Sequence, residues 1–456
     1  MSDTITRAMS KPAGNRLVDG PILSTLIALS LPNVAALSVL SIAAIAETTY
    51  IGWLGKEALA AMALVFPTIM LTQMMSSGAM GGGVSSAISR ALGSGDDARA
   101  ENLAMHALII GLGVGGALSL TFYLAGPWLY ATLGGTGKVL EEAVDYARTF
   151  FIGAVAIWLF NSLLSIVRGT GNMRLSSISM VGVGITQIVL GGVLSNGWGP
   201  IPGFGIEGVA AGQILAYALG CAYLMTLLTR AETRLRLRGD RFGVQTDMFL
   251  DILKVGAIAC LSPIQSILVV LLLSRMASRF GVDALAGFGI GIRLELLLVP
   301  IAFAIGVACV PMVGMAIGAD RVERARRVAW MGALLAAGLI GAIGIGIAIE
   351  PTLWGRLFTT NPAVLEAAGD YLEIAGFGFP AYGLGLCLYF ASQGSGRILG
   401  PVLAGTARLA VVVAGGYLYM GSGATFLDLA KLVLVAMLVY GATTAFAVYV
   451  TRWSKN

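Results

Sequence analysis

Histidine occurs once, as His106, and cysteine four times, at Cys221, Cys260, Cys309 and Cys387, each alone in an apolar run. With no CxxC spacing and no histidine beside a cysteine, neither a structural metal site nor a disulfide framework is expected, and the four thiols read as core filler. Charge is scarce as well: Asp, Glu, Lys and Arg make up 12% of the chain, against about 25% in an ordinary soluble domain. No acid, base and nucleophile cluster together, so the chain is expected not to be an enzyme and to need no cofactor. The one nucleotide-like string, GGTGKVL from Gly134, lacks the Ser or Thr that follows the lysine of a phosphate-binding loop. No ATP site is expected.

What the sequence has in abundance is apolar length. Of 456 residues, 57% are hydrophobic, the mean hydropathy is +0.86, and runs longer than about 18 apolar residues recur from end to end. The expected fold is all-α and integral to a membrane, with twelve transmembrane helices near 22–50, 58–88, 100–125, 139–166, 175–195, 207–229, 250–278, 284–317, 326–349, 364–391, 400–420 and 426–450. The first run is too long for a signal-peptide core and reads as a span. Of the 29 Lys and Arg residues, only Lys56, Lys138, Arg148, Arg275, Arg279, Arg293, Arg356 and Lys431 fall in outer loops or outer helical regions. The positive-inside rule therefore predicts that both termini are cytoplasmic. The net charge of +5 then reports topology, and no nucleic-acid partner is expected.

The two halves resemble each other. GKEALA at Gly55 returns as GVDALA at Gly281, ALGSGDDARA at Ala91 as AIGADRVERA at Ala316, VLEEAVDY at Val139 as VLEAAGDY at Val364, and RGTGN at Arg168 as QGSGR at Gln393. Four matches in the same order at an almost constant offset imply duplication of a six-helix unit. Because six is even, both copies start on one side, which makes two pseudo-symmetric six-helix lobes related by an axis along the membrane normal. The expected organisation is a tail at 1–20, an N-lobe at 21–229, a basic linker at 230–249, a C-lobe at 250–451 and a tail at 452–456. Such lobes suit a secondary transporter that alternates access by rocking, with its path in the cleft between them.

The residues then resemble one family over nearly the whole chain, the multidrug and toxic compound extrusion (MATE) transporters. SLPNVAALSVLSIAAIAETTYIGWLGKEALAA resembles the family's first span, with Pro32 as its proline and Glu47 as its acid. GPIPGFGIEGVAAGQ from Gly199 is similar to the segment leading into span six, and RGTGN at Arg168 to the signature after span four. GIRLELLLVPIAFAIGVACVPMVGMAIGA from Gly291 is similar to span eight of DinF-like bacterial members, closer than to NorM-like ones. The resemblance implies a multi-pass exporter of the bacterial inner membrane, monomeric and bathed in lipid. Such an exporter exchanges H+ or Na+ for bulky amphipathic, often cationic compounds. It also exposes departures. The usual acid of span one is Glu47 rather than Asp, the Asn-x-x-x-Asp of span five stands as Gln187 to Gly191, and the NorM-type carboxylates of spans seven and ten stand as Gln265 or Ser266 and Tyr382.

Two acids are the candidates for ion coupling. Glu47 lies roughly 36 Å along its helix from Leu23, in the outer half of span one. Glu295 lies deep in span eight, where a charge costs about 2.5 to 3.5 kcal/mol. Arg293 cannot offset it on an undistorted helix, because residues two apart do not face each other. Glu295 therefore reads either as a coupling group facing a wet cleft or a partner on another helix, or as a structural polar contact. Pro32 removes a backbone hydrogen bond and predicts a helix bend. Trp158, Asn161, Gln187, Gln265 and Tyr382 are the expected lining of the substrate cavity. His106 reads as structural. Two rivals remain. A flippase or exporter of a lipid-linked or specific metabolite cargo would want a cationic cavity, and of the basic residues only Arg293 looks deep. A major-facilitator reading rests on GADRVERARR at Gly318, where Glu323 departs from the usual loop.

Overall fold

The computed structural model describes residues 16–230, 234–237, 243–418 and 423–453. Among them twelve helices are long and apolar enough to cross a membrane, and there is no strand beyond a single bridge between Trp198 and Ile201. In chain order they are α1 (Ile22–Leu54), α2 (Lys56–Gly93), α3 (Asp97–Thr132), α4 (Gly137–Gly169), α5 (Met173–Asn196), α6 (Gly205–Thr229), α7 (Thr246–Phe280), α8 (Val282–Gly318), α9 (Val322–Ile349), α10 (Pro362–Ser395), α11 (Leu399–Leu418) and α12 (Phe426–Val450). Several run past the apolar stretches seen in sequence, for example α3 by its capped start at Asp97 and its end at Thr132, because helical hydrogen bonding continues beyond the hydrocarbon. Asp96 caps α3 by accepting from the Arg99 amide, and Asn172 caps α5 in the same way from Leu175.

Packing repeats between the halves. In the first, α1 lies on α5, α5 on α6, α3 on α4, and α4 on both α2 and α6; in the second, α7 lies on α11, α11 on α12, α9 on α10, and α10 on both α8 and α12. This shared pattern makes two pseudo-symmetric six-helix lobes. The core is continuous through both, with α4, α8 and α10 the most enclosed helices. Several helices depart locally from α geometry. In α2 a π-helical turn over Met75–Met80 precedes Gly81, α7 is interrupted at Cys260 before Pro263, and α10 passes through a 3-10 turn at Gly376–Gly378 before Pro380. By contrast α1 continues unbroken through Pro32, although proline leaves the carbonyl one turn earlier without its amide partner.

Both ends of the described chain lie on one face, called here the terminal face. Arg321 and Arg324 at the start of α9 bind Asp19 and the carbonyls of Leu17, Val18 and Gly20, while Arg326 binds the carbonyls of Val448 and Tyr449. The linker segment packs rather than floats: Leu235 and Leu237 are buried, and Arg234 sits 3.5 Å from Asp97. Arg7, Lys11, Arg238, Arg241 and Lys455, which carry part of the charge asymmetry, lie outside the described residues.

Candidate functional site

Each lobe buries one acid against its own helices. In α1 the buried stripe runs through Ala36, Ala43, Glu47 and Ile51, at helical spacing, and α5 presents Met180, Val183, Gly184, Gln187 and Gly191 toward the interior. Packing of α1 on α5 places Gln187 Nε2 2.7 Å from Glu47 Oε1, as donor to the carboxylate. Glu47 is 5% exposed. It is therefore enclosed in the N-lobe rather than sitting at a wetted interface. Tyr146 of α4 and Tyr217 of α6 lie within electrostatic range of it. Gln187 Oε1 and the Tyr146 hydroxyl are buried with no hydrogen-bond partner among the described residues. The result is a polar cluster with one neutral donor on a carboxylate and acceptor capacity left over. Gly191, which stands where the family pattern has an acid, is a helix contact: a Cβ on Gly212 of α6 would lie 2.5 Å from the Gly191 nitrogen.

In the C-lobe, Glu295 of α8 has a cationic partner on another helix. Arg408 Nη2 lies 3.5 Å from Glu295 Oε1, with the two side chains 7% and 12% exposed. The guanidinium also stacks over the Tyr382 ring at 4.8 Å from its centroid, and Tyr382 lies against Tyr440. Two features of the charge reading are corrected here. Arg408 lies in mid-α11 and is buried in the lobe interior, not on the inner surface. Arg293 is exposed, not deep: it reaches out to cover Phe358 in the α9–α10 connection, 5.1 Å from the ring centroid. Arg168 is a second buried cation, at the end of α4, bonded to Ser176 and Met180.

The other residues expected at the cavity divide by lobe. Asn161 donates to Ser76 in the π-helical turn of α2 at 2.9 Å, tying α4 to the one irregular turn of that helix. Gln265 donates to Thr406 of α11 at 2.8 Å, and its own Oε1 is buried without a partner among the described residues. Trp158 is 1% exposed and lies in the α3–α4 seam, so close to Gly115 that a Cβ there would come within 2.7 Å of it. His106 is structural. Its Nδ1 donates to the Asn102 carbonyl at 2.8 Å, its Nε2 accepts the Gln245 amide at 3.0 Å, and Phe249 meets its ring edge-on, which ties α3 to the start of α7.

Between the lobes, packing is concentrated at the terminal face, where the ends of α2, α8 and α10 and the start of α7 converge. Backbones touch there. A Cβ on Gly83 would lie 2.7 Å from the Gly256 nitrogen, and one on Gly93 would collide with the Met315 backbone, so only glycine permits this approach. Ser86 donates to the Gln393 carbonyl, and Gln393 Nε2 to the Gly78 carbonyl at 3.2 Å. Gln393 belongs to the QGSGR copy of the repeat, so the motif of the C-lobe closes onto the N-lobe.

Residues 32–193 and 259–418 match the model of the MatE family, one segment in each lobe. Relatives include an FAD transporter of Shewanella oneidensis, 26% identical over 381 residues and covering 82% of both chains. A probable multidrug resistance protein NorM of Thermotoga maritima is 23% identical and covers 95% of this chain and 94% of its own. The fold is also that of a MOP superfamily transporter from Pyrococcus furiosus, with a TM-score of 0.88 at 23% identity, over 96% of this chain and 98% of that one. Matched through both lobes, with twelve spans in the expected pairing, the chain belongs to the MatE family, a family of multi-pass membrane transporters and not of enzymes.

Proposed function

We propose that the chain is a secondary active multidrug exporter of the DinF-like branch, placed in the bacterial inner membrane with the terminal face toward the cytoplasm. It exchanges H+ or Na+ for amphipathic, often cationic organic compounds. The observation that carries this reading is Glu47, a carboxyl enclosed by the N-lobe with a single neutral donor and unfilled acceptors beside it. The lobes are taken as 21–229 and 250–451, joined by the linker at 230–249.

In the proposed cycle, substrate enters the cleft when the terminal face is open. The state closed at that face, with glycine backbones in contact, releases substrate outward while a cation occupies Glu47. Exchange of that cation changes the charge next to Gln187 and so the packing of α1 on α5, with Pro32 as the place in α1 where the backbone ladder is interrupted. One elementary charge crossing about 150 mV supplies roughly 3.5 kcal/mol, enough for about a 300-fold concentration ratio at one ion per substrate. In the C-lobe, Arg408 acts as a resident counter-charge for Glu295. This supports assigning coupling to Glu47 first and the C-lobe pair to shaping the cavity with Gln265, Asn161 and Tyr382.

A second reading has one specific observation in its favour. A buried arginine in the C-lobe suits an anionic metabolite better than a cationic drug, and a relative is an FAD transporter. The deciding experiment is reconstitution into liposomes with proton and sodium gradients imposed separately, followed by uptake of a cationic dye and of a flavin nucleotide. Dye movement driven by either gradient is expected. Dye transport that follows neither gradient defeats the antiport reading, and gradient-driven flavin transport alone replaces it with the second.

A further inference from the structure

On the terminal face the closed seam holds a half-open cavity of about 390 Å³ whose wall is drawn from both lobes. Arg90 of α2 and Arg99 of α3 reach it from the N-lobe; Lys254 of α7 and Arg397, just past α10, reach it from the C-lobe. Among the described residues one carboxylate lines that wall, Asp251, and it is shared by Arg90 and Arg99. Its Oδ1 lies 2.5 Å from Arg90 Nη2 and its Oδ2 3.3 Å from Arg99 Nη2. Asp247 meets Arg99 at 3.3 Å from outside the wall, its side chain 60% exposed. Lys254 has neither an ion pair nor a hydrogen bond among the described residues.

Helix ends do not cancel this charge. The last turns of α2, α8 and α10 close at Gly93, Gly318 and Ser395 around the cavity, and each contributes roughly half a negative charge. Among the described residues, Arg90, Arg99, Lys254 and Arg397 set against Asp251, Asp247 and the three helix ends leave a small positive balance. Like charges brought together around a concave space raise the local concentration of anions, and guanidinium forks match phosphate oxygens in pairs while an ammonium adds a point charge.

We propose that this cavity is a binding site for a phosphate group, carried by a free phosphate compound or by an anionic lipid headgroup, which clamps the two lobes together on the terminal face. Two cations come from each lobe, so the complete site exists only while the seam is closed. A ligand with such differential affinity shifts the lobes toward that state. The site is separate from Glu47 and Glu295, and it acts on the alternation itself whatever the cargo is.

The test uses the full-length protein in nanodiscs. In phosphatidylcholine discs, inorganic phosphate is titrated against chloride at equal ionic strength while the thermal unfolding midpoint is followed. In a second arm, phosphatidylcholine discs are compared with discs containing phosphatidylglycerol. A saturable rise in midpoint is expected in at least one arm, with affinity weakened about tenfold or more in Lys254→Gln and further in the Lys254→Gln, Arg397→Gln double variant. Lys254 is exposed, so its replacement leaves packing intact. A rise with phosphate assigns a soluble ligand; a rise with phosphatidylglycerol alone assigns a lipid headgroup. No saturable rise in either arm, or a rise undiminished in both variants, overturns the proposal.

Discussion

Arg408 of α11 holds Glu295 of α8 at 3.5 Å inside the C-lobe, so the deepest acid in the sequence is matched by a cation 113 residues further along the chain. The pair should be costly to break and cheap to remove whole. Arg408→Met alone leaves a buried carboxylate without its counter-charge and is expected to destabilise the protein by roughly 3 kcal/mol, whereas Glu295→Gln with Arg408→Met recovers most of that loss. A double-mutant cycle on thermal unfolding in detergent checks this. Equal losses from the single and the double variant would show that the two side chains do not act as a pair.

Glu47→Gln should fold, because an amide oxygen can still accept from Gln187 Nε2, with a stability change within about 1 kcal/mol. Gradient-driven transport should nevertheless fall at least about tenfold in liposomes, since the amide cannot carry the coupling charge. Full gradient-driven activity in that variant removes Glu47 from the mechanism.

Gly83→Val places a branched side chain against the Gly256 backbone. Overpacking of this kind costs about 1 to 3 kcal/mol, which is a shift of roughly 5- to 150-fold away from the state closed at the terminal face. Spin labels at Ala98 and Lys254 in a cysteine-free background should report a longer distance across the seam. An unchanged distance distribution would show that the seam tolerates the bulk without opening.

His106→Ala removes the acceptor that satisfies the Gln245 amide. A loss of about 0.5 to 1.5 kcal/mol is expected from losing this hydrogen bond at a donor that water can reach, together with faster hydrogen exchange confined to the start of α7. If exchange there stays at the wild-type rate, the α3 to α7 tie does not depend on the imidazole.

Much of this protein is legible in one dimension. Apolar runs of spanning length have no choice but to become helices where water is absent, since every backbone amide must find a partner within its own segment. The GKEALA, VLEEAVDY and RGTGN repeats set the division into lobes. Glu47 could be singled out because the first span resembles that of the family, with Glu47 at the place of its acid. What it bonds to could not be read, because Gln187 is 140 residues away and only the rotation of α5 against α1 decides which of its polar side chains faces in. The same holds for Arg408. Its place in the sequence suggests an inner surface, and only the packing of α11 on α7 and α12 shows it turned into the lobe.

Hydropathy therefore determined what must lie in lipid, how many spans there are and that they come in two related sets, because solvation is a property each segment carries by itself. The pairing of acids with Gln187 and Arg408, the burial of Trp158 in a helix seam and the closure of the lobes on one face were decided by tertiary structure. They depend on how closely two helix surfaces approach, and that distance is set by the small residues that happen to meet there.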